Sequence, residues 1–203
     1  MPVTKRATHS ITPRHYRLSI FFLSVCLALV MHSGARAADE KHGFTVREAH
    51  TRLLDGVYQL YGQIDHVLSP PVQEALENGL PLTIEIQVEV LRDYWGVWDH
   101  AVASLSQRYQ IQYHALSRQY LVKNLNSGAQ RTHSSEASAL AALGAISELP
   151  ILDQRLLATD EYYSARVRSR LDIEALPTPL RLTAYLDKRW RQSSDWYTWP
   201  LQP

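Results

Sequence analysis

Apolar and polar residues alternate with a period of two along several segments of the chain, which is the pattern of half-buried β-strands. The clearest segment is residues 82–92, where every second position from 82 to 90 is aliphatic and the positions between them are polar. The aliphatic residues are Leu82, Ile84, Ile86, Val88 and Val90. One buried face and one polar face are typical of a strand in an antiparallel sheet.

The same alternation predicts further strands on both sides of this segment. They span residues 44–54, 57–65, 101–113, 116–125, 162–173 and 195–201. Asp55 and Gly56 separate the first two, and this pair predicts a hairpin because both turn positions require positive φ. We expect a second hairpin around His114 and Ala115. The last strand contains Pro200, so it should lie at a sheet edge.

Helical signals occur between the predicted strands. One short helix begins at Pro70 and ends at Gly79, in agreement with the preference for Pro at helix starts and Gly past helix ends. Residues 134–149 carry apolar residues at helical spacing and stop before Pro150. Residues 180–186 fit either a helix or a strand, because their leucines also alternate, and we favour the helix.

Hairpin connections imply antiparallel pairing, so the chain is predicted to be mainly β. The simplest architecture is an antiparallel β-sandwich of six or seven strands, with two or three short helices in the connections. The 203 residues suit one domain with a short additional segment. We therefore expect residues 1–37 to be a signal peptide and residues 38–203 to form a single β-sandwich domain.

The first 37 residues have the composition of an export signal. Residues 1–17 are polar and basic, residues 18–31 are an apolar run with two serines, and an Ala-x-Ala site ends at Ala37. We expect cleavage after Ala37 and a periplasmic mature protein. The alternative is an uncleaved anchor in the inner membrane, although 14 helical residues reach only about 21 Å of a ~30 Å hydrocarbon core. Membrane contact is expected only if this leader is retained.

Charge and cysteine content exclude several classes of function. The leader holds five basic residues and no acidic one, which leaves 16 basic and 20 acidic residues in the rest of the chain. An acidic body argues against nucleic acid as a partner, because that partner requires a basic surface. Cys26 is the only cysteine and lies in the leader, so the mature chain would lack disulfides and thiol chemistry.

Motifs for catalysis and for cofactors are missing from the sequence. The histidines do not recur at the i, i+4 or H-x-H spacing of metal ligands, and no nucleotide-binding glycine motif or G-x-S-x-G elbow occurs. Asp65 precedes His66 and Asp99 precedes His100, but adjacent strand residues point to opposite faces. We therefore expect no metal site, no cofactor and no enzyme activity.

Two groups of residues are candidates for a binding surface. Arg166, Arg168 and Arg170 share one face of a predicted strand, about 7 Å apart. Such a row can bind anions or phospholipid headgroups, or it can be a solvated face that Glu85 and Glu89 balance across the sheet. We favour the second interpretation for the arginines.

The second group is aromatic. Its members are Trp95, Trp98, Trp196 and Trp199. On a surface they would form a platform for glycans, whereas in a sandwich tryptophans more often fill the core or its ends. Trp196 and Tyr197 are adjacent in a predicted edge strand, so they should face opposite ways and expose some aromatic surface.

Several stretches, taken together, resemble the uncharacterised proteobacterial domain-of-unknown-function family 4390. They are residues 74–82 (EALENGLPL), 94–98 (YWGVW), 113–120 (YHALSRQY), 171–180 (LDIEALPTPL) and 194–201 (SDWYTWPL). The resemblance implies an exported protein of about this length, without assigned catalytic residues. Family genes often neighbour a membrane sensor histidine kinase, which implies an envelope role coupled to signalling.

These observations favour an exported, non-enzymatic module that binds an envelope protein, for which a membrane histidine kinase is one candidate. The alternative is a module that binds peptidoglycan or lipid headgroups, and a hydrolase is the third possibility.

Overall fold

The computed structural model describes residues 42–92 and 100–201, and this part of the chain is mainly β. Its strands are β1 (Gly43–Leu54), β2 (Val57–Val67), β3 (Leu82–Arg92), β4 (His100–His114), β5 (Gln119–Asn124), β6 (Gln130–His133), β7 (Ala145–Asp153), β8 (Tyr163–Leu171) and β9 (Tyr197–Leu201). They form a three-stranded sheet in the order β1-β2-β7 and a six-stranded sheet in the order β6-β5-β4-β3-β8-β9. Every pairing is antiparallel. The predicted mainly β, antiparallel fold class is therefore confirmed.

Three α-helices lie in the connections of the described residues. They are α1 (Pro70–Glu77), α2 (Glu136–Gly144) and α3 (Thr178–Leu186). The helical interpretation of residues 180–186 is confirmed. No helix in the described ranges has the length and apolar character needed to cross a membrane.

The predicted helix over residues 134–149 is too long, because it ends at Gly144 and β7 starts at once. Residues 145–149 pair with β2, so tertiary pairing outweighs a local helical pattern. Irregular register and a positive φ at Glu148 disturb the alternation of β7, which hid the strand in the sequence. Pro150 is tolerated because β7 is an edge strand.

The strand count also differs from the predicted six or seven, since β6 and β7 bring the described part to nine. β6 has four residues and all of them are polar, so it exists only through its pairing with β5 and shows no apolar alternation. The second hairpin turns at residues 115–118, slightly later than predicted.

β3 lies in the middle of the large sheet, between β4 and β8, and its aliphatic face is the centre of the core. The five aliphatic residues predicted to be buried are each 0–1% exposed. Leu82 and Ile84 pack in one apolar cluster with residues of all three helices, while Ile86, Val88 and Val90 pack in a second cluster with residues of β2. Helices thus cover one end of this face and the small sheet covers the other.

A buried polar contact joins the two sheets where these clusters meet. His66 lies on β2 between residues of the two clusters, and Ser169 has the same position on β8. The Nε2 of His66 and the Oγ of Ser169 are 2.9 Å apart and form a hydrogen bond. Ser194 accepts from the backbone N–H of Ser169, and Gln192 donates to the carbonyl of Val67. The His66–Ser169 bond links the two sheets, and the Gln192 bond links the end of β2 to the segment before β9.

Candidate functional site

The outer face of the six-stranded sheet carries the predicted row of arginines. The antiparallel register of β3 and β8 places Arg166 opposite Glu89, Arg168 opposite Gln87 and Arg170 opposite Glu85. Arg166 Nη2 lies 2.6 Å from Glu89 Oε2, and Arg170 Nε donates to Glu85 Oε2 over 2.7 Å. The cross-strand pairing suggested for Glu85 and Glu89 is therefore present.

Glu85 is held as a carboxylate in this arrangement although its side chain is largely buried. Burial alone would raise the pKa of Glu85, but hydrogen bonds from Ser106 and Arg170 outweigh burial, and the pKa is lowered. Ser106 Oγ donates to Glu85 from β4, on the other side of β3. Two of the three arginines thus pair with a glutamate.

Arg168 differs from its two neighbours because its partner is neutral. Its Nε donates to the side-chain carbonyl of Gln87 over 2.7 Å. Among the residues that the structure describes, no carboxylate lies within ion-pair distance of Arg168. Within the described ranges, the centre of the row therefore carries a positive charge without an acidic partner.

Trp196 covers this centre. Its ring centroid lies 4.4 Å from the Cζ of Arg166 and 4.4 Å from the Cζ of Arg168, which is cation–π geometry. The segment before β9 brings Trp196 next to β8, since Arg166 pairs with Thr198 and Val167 with Tyr197. We call Arg166, Arg168, Arg170 and Trp196 the arginine face.

The remaining predicted aromatic residues lie elsewhere. Trp199 points inward, is 9% exposed, and donates through Nε1 to Thr51 Oγ1 over 3.3 Å. It therefore packs between the sheets and does not contribute to the arginine face. Trp95 and Trp98 fall in residues 93–99, outside the described residues.

A polar cleft of about 350 Å³ adjoins the arginine face and shares Trp196 with it. The cleft lies between the start of β1 and the segment before β9, and its lining includes His42, Thr45, Ser193 and Asp195. Sequence reasoning missed these residues, because only the meeting of β1 with β9 brings them together. A cationic, aromatic surface beside a polar cleft can bind a ligand with carboxylate or phosphate groups.

The only buried histidine–serine pair in the described ranges is a core contact. Ser169 is fully buried and its backbone N–H is bonded to Ser194. Asp65 points away from His66 and binds Arg47 on the surface, as the alternation of strand side chains requires. The described residues hold no cluster of three metal-ligating side chains.

Burial lowers the pKa of His66 to about 4, while the backbone of Leu140 and the charge of Asp65 act in the opposite direction. The unfolded chain would protonate this histidine at its ordinary pKa of 6.5. Between pH 6.5 and pH 4, the unfolded chain therefore holds a proton that His66 lacks in the folded state. The stability that the fold has above pH 6.5 is lost as the pH falls through this range. The loss should reach about 3 kcal/mol.

Urea unfolding between pH 7.5 and pH 4 measures this loss. His66→Gln should flatten the decline in unfolding free energy, and His114→Gln, at an exposed position, is the control. An unaltered pH slope in the His66 variant would show that another group is responsible.

Comparison with known proteins gives a family but no assigned activity. No curated protein matches the chain, and no solved structure matches it. One family model matches residues 41–200, which include all of the described strands and helices except the last residue of β9. The chain therefore belongs to the family described as "Domain of unknown function (DUF4390)", as its sequence motifs indicated.

Proposed function

We propose that the chain is a non-enzymatic binding module of the cell envelope, and that its arginine face recognises an acidic segment of a protein partner. The observation that carries this proposal is the neutral partner of Arg168. A guanidinium that is bonded only to an amide oxygen has further N–H donors available for a carboxylate. Hydrogen bonds between a guanidinium and a carboxylate are stronger than hydrogen bonds between neutral groups.

The neighbouring side chains prepare Arg168 for this role. Arg166 and Arg170 are matched by Glu89 and Glu85, so the face of three arginines and two glutamates keeps one net positive charge. Trp196 restricts the guanidinium of Arg168 from one side, which lowers the entropy lost on binding. The paired arginines are structural, and Arg168 makes the contact with the partner.

The compartment and the partner are part of the same proposal. We place the module in the periplasm after cleavage near Ala37, with an uncleaved inner-membrane anchor as the alternative. The gene neighbourhood implied by the family resemblance makes the exported region of a membrane sensor histidine kinase the first protein to test.

Arg168→Gln is expected to weaken binding about tenfold or more, because a hydrogen bond to a charged group contributes ~1.5–3 kcal/mol. The probes are a hexaglutamate peptide and the purified exported region of the kinase, and isothermal titration calorimetry at two salt concentrations gives the affinities. The exposed Arg131→Gln, on β6, is the matched control.

Equal affinities of the Arg168 and Arg131 variants for both probes would overturn the proposed site. The triple change of Arg166, Arg168 and Arg170 to glutamine is less informative, since it also leaves the largely buried Glu85 without its arginine.

Peptidoglycan is the second candidate ligand, because Trp196 belongs to both the arginine face and the polar cleft. A muropeptide offers a sugar ring for the aromatic surface and carboxylates for Arg168. Binding of purified muropeptides that is lost in Trp196→Leu, together with no binding of the hexaglutamate peptide, would favour this candidate over a protein partner.

A further inference from the structure

Helix α3 exposes a strip of three large apolar side chains. Leu182, Tyr185 and Leu186 are 67%, 42% and 87% exposed. Their spacing of three and four residues puts them on one side of the helix. Ala184 on the opposite side is fully buried, so the helix is anchored to the core through its other face. The strip has no partner among the described residues that would bury it.

Basic residues flank this strip along the chain. Residues 174–191 contain four basic side chains and two acidic ones, although residues 38–203 as a whole have an acidic excess. The basic residues are Arg181, Lys188, Arg189 and Arg191. Asp187 neutralises Arg189, and Glu174 lies 4.0 Å from Arg181. The local charge is +2, and Lys188 is exposed at the end of the helix that carries Leu186.

An apolar groove of about 550 Å³ lies next to the strip, between α1 and α3. Leu80, Leu180 and Trp190 form part of its lining, and Glu74 and Asp187 also border it. Arg189 lines the groove as well, whereas Leu182 and Leu186 do not. Glu174 lies outside the groove lining and accepts a hydrogen bond from the Tyr185 hydroxyl. The two leucines of the strip and the basic residues Arg181, Lys188 and Arg191 therefore lie outside the groove lining.

We propose that this surface of α3 rests on an anionic lipid bilayer. Exposed leucines and a tyrosine flanked by cations are the composition of interfacial helices, in which apolar side chains enter the headgroup region and basic side chains contact phosphates. Charge complementarity selects anionic lipid over neutral lipid. The strip has only three residues, whereas a stable protein interface needs roughly 20–30 residues on each side, so a bilayer suits it better than a protein.

The proposal is independent of the arginine face, which lies on β8 and the segment before β9. It also differs from anchoring by the leader, since α3 would contact the bilayer reversibly and in a salt-dependent way. Contact through α3 and anchoring by the leader would each hold the module close to the membrane in which a sensor kinase resides.

A site-specific label tests the contact in the full chain. In a Cys26→Ala background, Leu186→Cys carries an environment-sensitive fluorophore. Leu116→Cys is the matched control, because Leu116 is fully exposed in the turn between β4 and β5. Vesicles of phosphatidylglycerol and phosphatidylcholine, or of phosphatidylcholine alone, are added. We expect a blue shift at position 186 with the anionic vesicles, a weak one with neutral vesicles, and little change at position 116.

Leu182→Ser combined with Leu186→Ser should weaken flotation with anionic vesicles roughly tenfold, because two apolar side chains no longer enter the interface. Leu116→Ser should leave flotation unchanged, and far-UV circular dichroism should show that both variants are folded. A label at position 186 that does not respond to lipid, or that responds no more than the label at position 116, overturns the proposal. A response to the hexaglutamate peptide without a response to vesicles would assign the surface to an acidic protein instead.

Discussion

Replacing Gly144 with alanine is expected to destabilise the fold by about 3 kcal/mol or more, because the added methyl group has no space. A Cβ at this position would overlap the carbonyl oxygen of Ile64 and lie 3.0 Å from the carbonyl carbon of the same residue. It would also lie 3.3 Å from Cε1 of His66. Backbone cannot move aside like the end of a flexible side chain. Gly144 is therefore required for the close approach of α2 to β2.

Intrinsic helix propensity predicts the opposite result, since alanine is favoured over glycine by about 1 kcal/mol within a helix. Guanidinium-induced unfolding of Gly144→Ala separates the two effects by sign. The exposed Ala141→Gly, in the same helix, should lose only about 0.5–1 kcal/mol. A Gly144 variant as stable as the natural protein would show that α2 and β2 are farther apart than described.

Truncating Ile86 to alanine is expected to cost roughly 2–5 kcal/mol. Ile86 is 1% exposed and packs in the second apolar cluster, where both sheets contribute side chains. β3 has a strand on each side, so the surroundings cannot easily collapse into the space left behind. The unfolding free energy from urea titration gives the loss.

Val102→Ala is the control for Ile86, because Val102 lies on β4 and is 39% exposed. It should cost less than about 0.5 kcal/mol, as surface substitutions usually do. Ile86→Val should fall between the two, at about 0.5–1.5 kcal/mol. An Ile86→Ala loss no greater than that of Val102→Ala would mean that the aliphatic face of β3 is not the core.

Sequence periodicity predicted the strands that have one clean apolar face. Leu82 to Val90 alternate without interruption and are buried as expected, and Asp55 with Gly56 makes the first hairpin turn with positive φ at both positions. Such strands are visible in the sequence because burial of one face is a local requirement. The edge position of β9 followed from Pro200 for a similar reason.

The strands that escaped prediction depend on distant partners. β7 follows α2 without a loop, so its first residues resemble the end of a helix. Its pairing with β2 contains two register shifts, which interrupt the alternation of a regular strand. β6 carries no apolar pattern at all. Neither segment has an intrinsic signal that local sequence reasoning could read.

The candidate site could be predicted only in part. The spacing of Arg166, Arg168 and Arg170 placed them on one face, and the spacing of Glu85 and Glu89 suggested the acidic partners. Which arginine lies opposite Gln87 depends on the register between β3 and β8, and the sequence alone does not specify this register. The placement of Trp196 over two arginines likewise depends on the path of the chain before β9.

The position of β3 between β4 and β8 also determines when the protein can fold. The residues of β3 pair with residues of β8 that lie 71 to 87 positions later in the chain, from Arg92–Tyr163 to Ile84–Leu171. Closing so large a loop costs entropy before the contacts between the strands can offset that cost. Folding should therefore be slow and dominated by non-local contacts. A chain still emerging from a ribosome or a translocon has no partner for one side of β3 until residue 171 is free. The polypeptide should therefore remain unfolded, and open to chaperones, until nearly all of it has been delivered.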